Sequence, residues 1–239
     1  MKVLLTRTEL DSKHLASKLT DFGVPSVISP VIKITSIPVE VPNKSDFQSI
    51  IITSKNTLET VKKLYFTQKV PIFCVGDIAA KLFENSGFSN VKSASGTSED
   101  LLELFVKNCN PEKGPVLYLA GQDTLGAIER DLKQFGFKIE KKIVYRAEAV
   151  SCLTQDAEQA LRSGEITGIF IFSPRSAIIL NELISTFKLH KAVKKTTAFC
   201  LSDAVAKEAS ATAWSNILIS ERPTQESILE LLRKNLKSL

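Results

Sequence analysis

The chain has 239 residues, 44% of them hydrophobic and 24% charged, with a formal net charge of +5, which excludes disordered, collagen-like and coiled-coil chains and leaves one large or two small globular domains. Cys74, Cys109, Cys152 and Cys200 lie too far apart for a zinc site or a redox dithiol, and His14 and His190 alone exclude a histidine-rich metal centre. No run of five Lys or Arg occurs and the 13 Phe do not alternate with basic residues, so the charge reads as a solvated surface or as attraction for a small anion, not as a nucleic-acid platform.

Met1 runs straight into the strand-like Lys2-Val3-Leu4-Leu5, with no apolar segment of a signal peptide before it. No apolar stretch approaches the ~20 residues that span a bilayer. A cytoplasmic protein with reduced thiols is the expectation. An amphipathic helix follows, carrying His14 as a surface or capping residue and ending at Gly23; residues 27–41 are then long and strand-prone. Ser49-Ile50-Ile51-Ile52 is fully apolar after its serine, as a strand buried on both faces of a parallel sheet should be. Phe73-Cys74-Val75 reads the same way, with Cys74 buried, and Leu101, Leu104 and Phe105 mark a helix by their spacing. After the turn-rich Asn110-Pro111-Glu112-Lys113-Gly114-Pro115 come the strand Val116-Leu117-Tyr118-Leu119, a helix with apolar Leu125, Ile128, Leu132 and Phe135 three and four apart, and a second strand-prone stretch over 139–151. Ile169-Phe170-Ile171-Phe172 and Phe199-Cys200-Leu201 complete the strand list, Cys200 buried like Cys74.

The chain also repeats itself. Phe73-Cys74-Val75-Gly76-Asp77-Ile78-Ala79-Ala80-Lys81 returns as Phe199-Cys200-Leu201-Ser202-Asp203-Ala204-Val205-Ala206-Lys207, and the segment from Thr97 to Leu104 returns from Thr224 to Leu231. Val3-Leu4-Leu5, Leu19 and Phe22-Gly23 match Val116-Leu117-Tyr118, Leu132 and Phe135-Gly136 in one register. The order along the chain is a, b, a, b. The connectors favour two similar parallel-sheet α/β domains, with the two strand-prone stretches crossing between them and pairing as a short ladder. Residues 1–35 plus 152–239 form a discontinuous α/β domain, 46–141 a continuous one, and 36–45 with 142–151 the linkers. Sequential domains of 1–110 and 115–239 are the competing arrangement.

Ligands of open parallel sheets collect beyond the strand carboxyl ends, where helix N-termini present free N–H groups and partial positive charge. Here almost every strand-to-helix corner carries Ser, Thr, Asp or Gly. N-capping is the simple explanation for any one of them, although Thr97-x-x-Asp100 and Thr224-x-x-Ser227 fit a capping box only loosely, lacking Glu or Gln at the fourth position. Anion binding gives a reason for all of them together. P-loop, dinucleotide and GxSxG signatures are absent, and neither histidine sits beside a recognisable nucleophile.

These residues carry a resemblance. Val3-Leu4-Leu5-Thr6-Arg7, Ile52-Thr53-Ser54-Lys55-Asn56, Val75-Gly76-Asp77, the run from Ser95 to Leu102, Val144-Tyr145-Arg146, Phe172-Ser173-Pro174-Arg175 and Pro223-Thr224 together resemble the uroporphyrinogen-III synthase family over essentially the whole chain. The resemblance implies two flavodoxin-like α/β domains joined by a two-stranded β linker. It implies a lyase of haem biosynthesis that works without a cofactor and cyclises hydroxymethylbilane, a linear tetrapyrrole, to uroporphyrinogen III with loss of water and inversion of ring D. The substrate carries eight carboxylates, and its pyrrole nitrogens drive the reaction. The protein is taken as a cytoplasmic monomer whose partner is this polycarboxylate tetrapyrrole, with neither nucleic acid nor membrane as a partner.

Carried over residue by residue, Tyr145 resembles the family's linker tyrosine, which faces the substrate and donates to the departing hydroxyl; a packed strand aromatic is the alternative. Thr53, Ser54, Thr97, Ser173 and Thr224 match corners that touch substrate carboxylates, and Arg7, Lys55 and Arg175 match charge partners or stand as solvated surface. The glycine corner is followed by Ala79 after Gly76 and by Val205 after Ser202, where the family keeps a hydroxyl, so binding at Gly76, Asp77 and Ser202 is assigned to backbone amides. A non-catalytic clamp for an anionic metabolite, or an inactive paralogue of the same fold, would use the same corners.

Overall fold

In the computed structural model the described residues are 1–41, 46–64, 70–124 and 126–236. Leu125 and residues 42–45 of the expected first linker lie outside them. The elements in chain order are β1 (Lys2–Leu5), α1 (Glu9–Thr20), β2 (Ser26–Ile28), β3 (Ile32–Ser36), β4 (Ser49–Ile52), α2 (Leu58–Lys63), β5 (Ile72–Cys74), α3 (Asp77–Glu84), β6 (Val91–Ser93) and α4 (Ser98–Asn108). They continue with β7 (Val116–Gly121), α5 (Ala127–Gln134), β8 (Ile139–Ala149), α6 (Gln155–Arg162), β9 (Ile166–Ile171), α7 (Pro174–Thr186), α8 (His190–Val193), β10 (Thr197–Cys200), α9 (Asp203–Ala209), β11 (Asn216–Ile219) and α10 (Gln225–Leu236).

The chain divides into two compact units, Met1–Lys33 with Glu148–Leu239, and Ile34–Ala147. The first holds a five-stranded sheet in the order β11-β10-β9-β1-β2, parallel at every pairing. Alternate residues of its strands enter different layers: Leu4, Ile169, Ile171, Ala198 and Cys200 face one, and Val3, Leu5, Phe170 and Phe199 the other. This two-sided burial is why these strands read as unbroken apolar runs. Phe170 and Phe199 meet edge to face at 5.2 Å, a favoured aromatic geometry.

The second unit carries the order β6-β5-β4-β7-β8, again parallel, with β3 added beyond β8. Ile50, Ile52, Ile72, Cys74, Leu117 and Leu119 fill one layer, while Ile51, Phe73, Val116 and Tyr118 fill the other with Phe105 and Phe137. The β3 to β8 pairing is antiparallel: Val150 N–H donates to Val31 O at 3.1 Å and Ile37 N–H to Val144 O at 2.8 Å. Pairing with β7 continues along β8 as far as Tyr145, so Tyr145 is a residue of the sheet. His14 is exposed on α1, and Cys74 and Cys200 are fully buried. No helix among the described residues is long and apolar enough to cross a membrane.

Candidate active site

Strand carboxyl ends in each unit place the expected residues. In the first unit Arg7 follows β1, Ser173 and Arg175 open α7 after β9, Ser202 caps α9 after β10, and Thr224 precedes α10. Arg7 is fixed on three sides. Its guanidinium lies 4.5 Å from the centroid of Phe172, Nη2 is 3.4 Å from Asp11 Oδ2, and Nη1 donates to Gln225 Oε1 at 3.2 Å. This brings the ends of β1 and β9 together with the start of α10. A stacked, forked cation held in this way presents a fixed direction to an anion.

Ser173 and Thr224 are caps. Ser173 Oγ accepts from Ser176 N–H at 3.1 Å and lies 2.8 Å from Ser176 Oγ, and Thr224 Oγ1 accepts from Ser227 N–H at 3.2 Å. Ser202 is different, because its hydroxyl makes no capping bond to α9. Arg175 is exposed.

In the second unit Gly76 caps α3 with no side chain to satisfy the first-turn amides, and a Cβ there would meet nothing within 4 Å. Open space in front of bare amides suits an anion. The Asp77 carboxylate is already engaged: hydrogen bonds from Ser93 and Ser95 hold it below its ordinary value, and Ser95 Oγ donates to Asp77 Oδ1 at 2.7 Å. Gly96 N–H donates to Val75 O at 3.3 Å, so the corners after β5 and β6 form one surface. Ser54 Oγ accepts from Asn56 N–H at 3.3 Å at the start of the 3-10 turn Lys55–Thr57, which positions Lys55.

Thr97 corrects the loose capping expectation. Its N–H donates to Asp100 Oδ2 at 2.6 Å while its Oγ1 accepts from Asp100 N–H at 3.3 Å, a complete capping box built on Asp. Gly96 makes this possible, since a Cβ there would collide with the Asp100 carboxylate that folds back onto the loop. Ser227 likewise completes the Thr224 cap through its own N–H, and its hydroxyl accepts from Arg222 N–H at 3.1 Å.

Tyr145 stands opposite Gly121 across an irregular step in the β7–β8 register, and Gln122 N–H donates to Tyr145 O at 3.0 Å. The tyrosine ring fills the space a side chain at Gly121 would occupy, 2.5 Å from the Cβ position. Thr53, half-buried after β4, neighbours the phenol of Tyr118. Burial pushes that phenol up, with Tyr145 adding to the rise and Thr53 and Thr124 opposing it. Its oxygen nevertheless closes no hydrogen bond among the described residues, a condition that costs about 1–3 kcal/mol when a polar group is buried.

Three apolar side chains at these corners escaped the sequence reading. Leu10 in the first turn of α1 is 62% exposed, Ile78 in the first turn of α3 is 71% exposed, and Ile178 of α7 is also exposed. The available signal was an aliphatic residue just inside a helix start, after a polar corner, where capping gives it no use.

Two parallel-sheet α/β units thus carry uncapped helix N-termini, the held Arg7 guanidinium and hydroxyls at their strand carboxyl ends, where open sheets of this class take their ligands. The uroporphyrinogen-III synthase HemD family matches residues 13–230. The chain belongs to the uroporphyrinogen-III synthase family, the cyclising lyases of haem biosynthesis. Among solved structures it is similar to the uroporphyrinogen-III synthetase of Helicobacter pylori 26695, at 19% identity over 98% of each chain with a TM-score of 0.64, a likeness that establishes the shared fold. It also matches a mutant uroporphyrinogen III synthase from the extremely thermophilic bacterium Thermus thermophilus, at 18% identity over the whole of both chains with a TM-score of 0.49. A search of curated proteins returned no match.

Proposed function

We propose that Tyr145 is the proton donor of the cyclisation and that the strand-end corners of each unit bind the carboxylates of hydroxymethylbilane. The family match over residues 13–230 carries the activity and favours it over a non-catalytic clamp. The donor role of Tyr145 comes from its resemblance to the family's linker tyrosine; in the structure it is a half-buried residue of β8 whose ring packs over Gly121.

A pyrrole nitrogen pushes electrons toward the terminal hydroxymethyl carbon, and the C–O bond breaks as the hydroxyl takes the Tyr145 proton and leaves as water. The resulting azafulvene carbon is attacked by the substituted carbon of ring D, giving a spiro intermediate. That intermediate opens and recloses with ring D inverted, and the proton released on rearomatisation restores the phenol. The protein needs no strong nucleophile. Its task is to hold one folded shape of the bilane, because a loosely held chain closes without inversion.

The amides after Gly76 and Ser202 are the carboxylate donors with no competing cap. Arg7, Lys55 and Arg175 supply positive potential, the hydroxyls of Thr53, Ser54, Ser173 and Thr224 add donors, Thr97 shapes its corner through the hydroxyl it gives to Asp100 Oδ2 at 3.0 Å, and Leu10, Ile78 and Ile178 contact the apolar pyrrole skeleton between its acidic arms. The protein acts as a cytoplasmic monomer, with Ile34–Ala147 and the remainder of the chain as its two domains. Freshly generated hydroxymethylbilane incubated with the purified protein tests the activity. Type III product in excess over the spontaneous type I isomer is expected, and type I alone from folded protein defeats the assignment.

A further inference from the structure

We propose that Tyr118 is a positioning residue for the Thr53 corner, its buried phenol donating to the Thr53 hydroxyl so that the threonine's own proton is directed at a substrate carboxylate. The inference rests on Thr53 being a binding residue.

Tyr118 pairs with Ile51 of β4 across the sheet, and it is 0% exposed. Thr53 lies two residues beyond Ile51, hence on the same face and about 7 Å further toward the strand carboxyl ends, a span that a tyrosine side chain covers. The two groups acting on the phenol as hydrogen-bonding neighbours are Thr53 and Thr124. Thr124 Oγ1 already donates to Gly121 O at 2.6 Å, so its proton is committed. Both threonines are half-buried beyond strand ends, and what separates them is that the Thr124 proton is already given to Gly121 O.

A hydroxyl gives one proton and accepts through two lone pairs. If Thr53 accepts from Tyr118, its own proton is free to point outward. The Tyr118 phenol closes no other hydrogen bond among the described residues, so its proton is available to that acceptor. The Tyr118 ring packs in a layer with Phe73, Phe105 and Phe137, and Lys141 Nζ lies 5.7 Å from its centroid, so the ring packs as a phenyl would and the hydroxyl is the part left without a packing use.

The test is a double-mutant cycle on the full chain, with Tyr118→Phe, Thr53→Val and both together, reading kcat and KM for hydroxymethylbilane beside thermal unfolding. Tyr118→Phe should raise KM about three- to tenfold, the size of one hydrogen bond, with kcat within about twofold and the unfolding temperature unchanged or higher. The double variant should be no worse than Thr53→Val, and Thr53→Ser, which keeps the hydroxyl, should retain sensitivity to Tyr118→Phe. A wild-type KM for Tyr118→Phe beside a raised KM for Thr53→Val overturns the positioning role and leaves the corner standing. Additive effects overturn it too. A wild-type KM for Thr53→Val instead removes the corner, and the proposal falls with it. Should Tyr118→Phe fail to fold, Tyr118→Met takes its place in the cycle: a wild-type KM overturns the proposal, and a raised KM that adds nothing to Thr53→Val upholds it.

Discussion

The ring of Tyr145 occupies the space that a side chain at Gly121 would need, with its Cζ 2.5 Å and its hydroxyl oxygen 2.7 Å from the Cβ position. Gly121→Ala therefore has to displace the far end of the tyrosine, which moves more cheaply than backbone. Expected are a loss of about 1 kcal/mol or less in urea unfolding and a fall in kcat at least as large as that of Tyr145→Phe, about tenfold or more. A Gly121→Ala variant with normal kcat would remove Tyr145 from the chemistry.

Thr97 and Asp100 act on the start of α4. Thr97→Ala should cost about 1 kcal/mol of stability as a lost cap. The Thr97 amide and hydroxyl hold the Asp100 carboxyl below its ordinary value of 3.8. A carboxylate favoured in the folded state adds stability above 3.8 that is lost as pH falls through the lower folded value. Acid unfolding of Thr97→Ala should show a smaller loss across that window than the wild type does.

Ile78 is 71% exposed, so Ile78→Ser should change stability by less than about 0.5 kcal/mol. If the aliphatic group meets a pyrrole ring, KM rises about fivefold with kcat little changed, the size expected for losing part of one apolar contact. An unaltered KM in steady-state assays would make it an ordinary surface residue.

Cys74 and Cys200 are buried strand thiols that desolvation pushes up to about 12 and about 11. The thiolate is the reactive form, so iodoacetamide on native protein should label exposed Cys152 first and half-buried Cys109 more slowly, leaving Cys74 and Cys200 for the unfolded chain. Peptide mapping by mass spectrometry reads this directly. Since the folded state favours the neutral thiols, their contribution is complete below 9.0 and is lost as pH rises from there toward 11 and 12.

The parallel sheets were legible because Ile50–Ile52 and Ile169–Ile171 are buried on both faces, and two-sided burial writes itself as an unbroken apolar run. The corners were legible because capping and anion binding demand the same small polar residues. That overlap also hid which job each one does: Thr97 and Ser173 spend their oxygens on caps, whereas Gly76 and Ser202 leave their helices uncapped by any side chain. The full box at Thr97 depends on space at Gly96, a three-dimensional condition that the spacing rule for Glu and Gln does not contain. Tyr118 read as one more apolar strand residue, because a phenol and a phenyl ring give the same periodicity. The pairing of Tyr145 with Gly121 depends on an irregular register step that leaves no mark in the composition of β8.

The two sheets share one spatial order of strands but are threaded from different starting points, β4 to β8 consecutively in one and β1, β2 and then β9 to β11 in the other. Synthesis turns that difference into a timetable. All strands of the consecutive sheet emerge from the ribosome before β9 exists. β1, an interior strand, emerges first and must wait for its neighbour, since Thr6 donates to the carbonyl of Phe170, 164 positions later. At ordinary elongation rates the wait is roughly ten to thirty seconds, during which an apolar strand and an amphipathic helix remain without their sheet. During synthesis β1 and α1 are therefore the segments most exposed to chaperones and to misassembly.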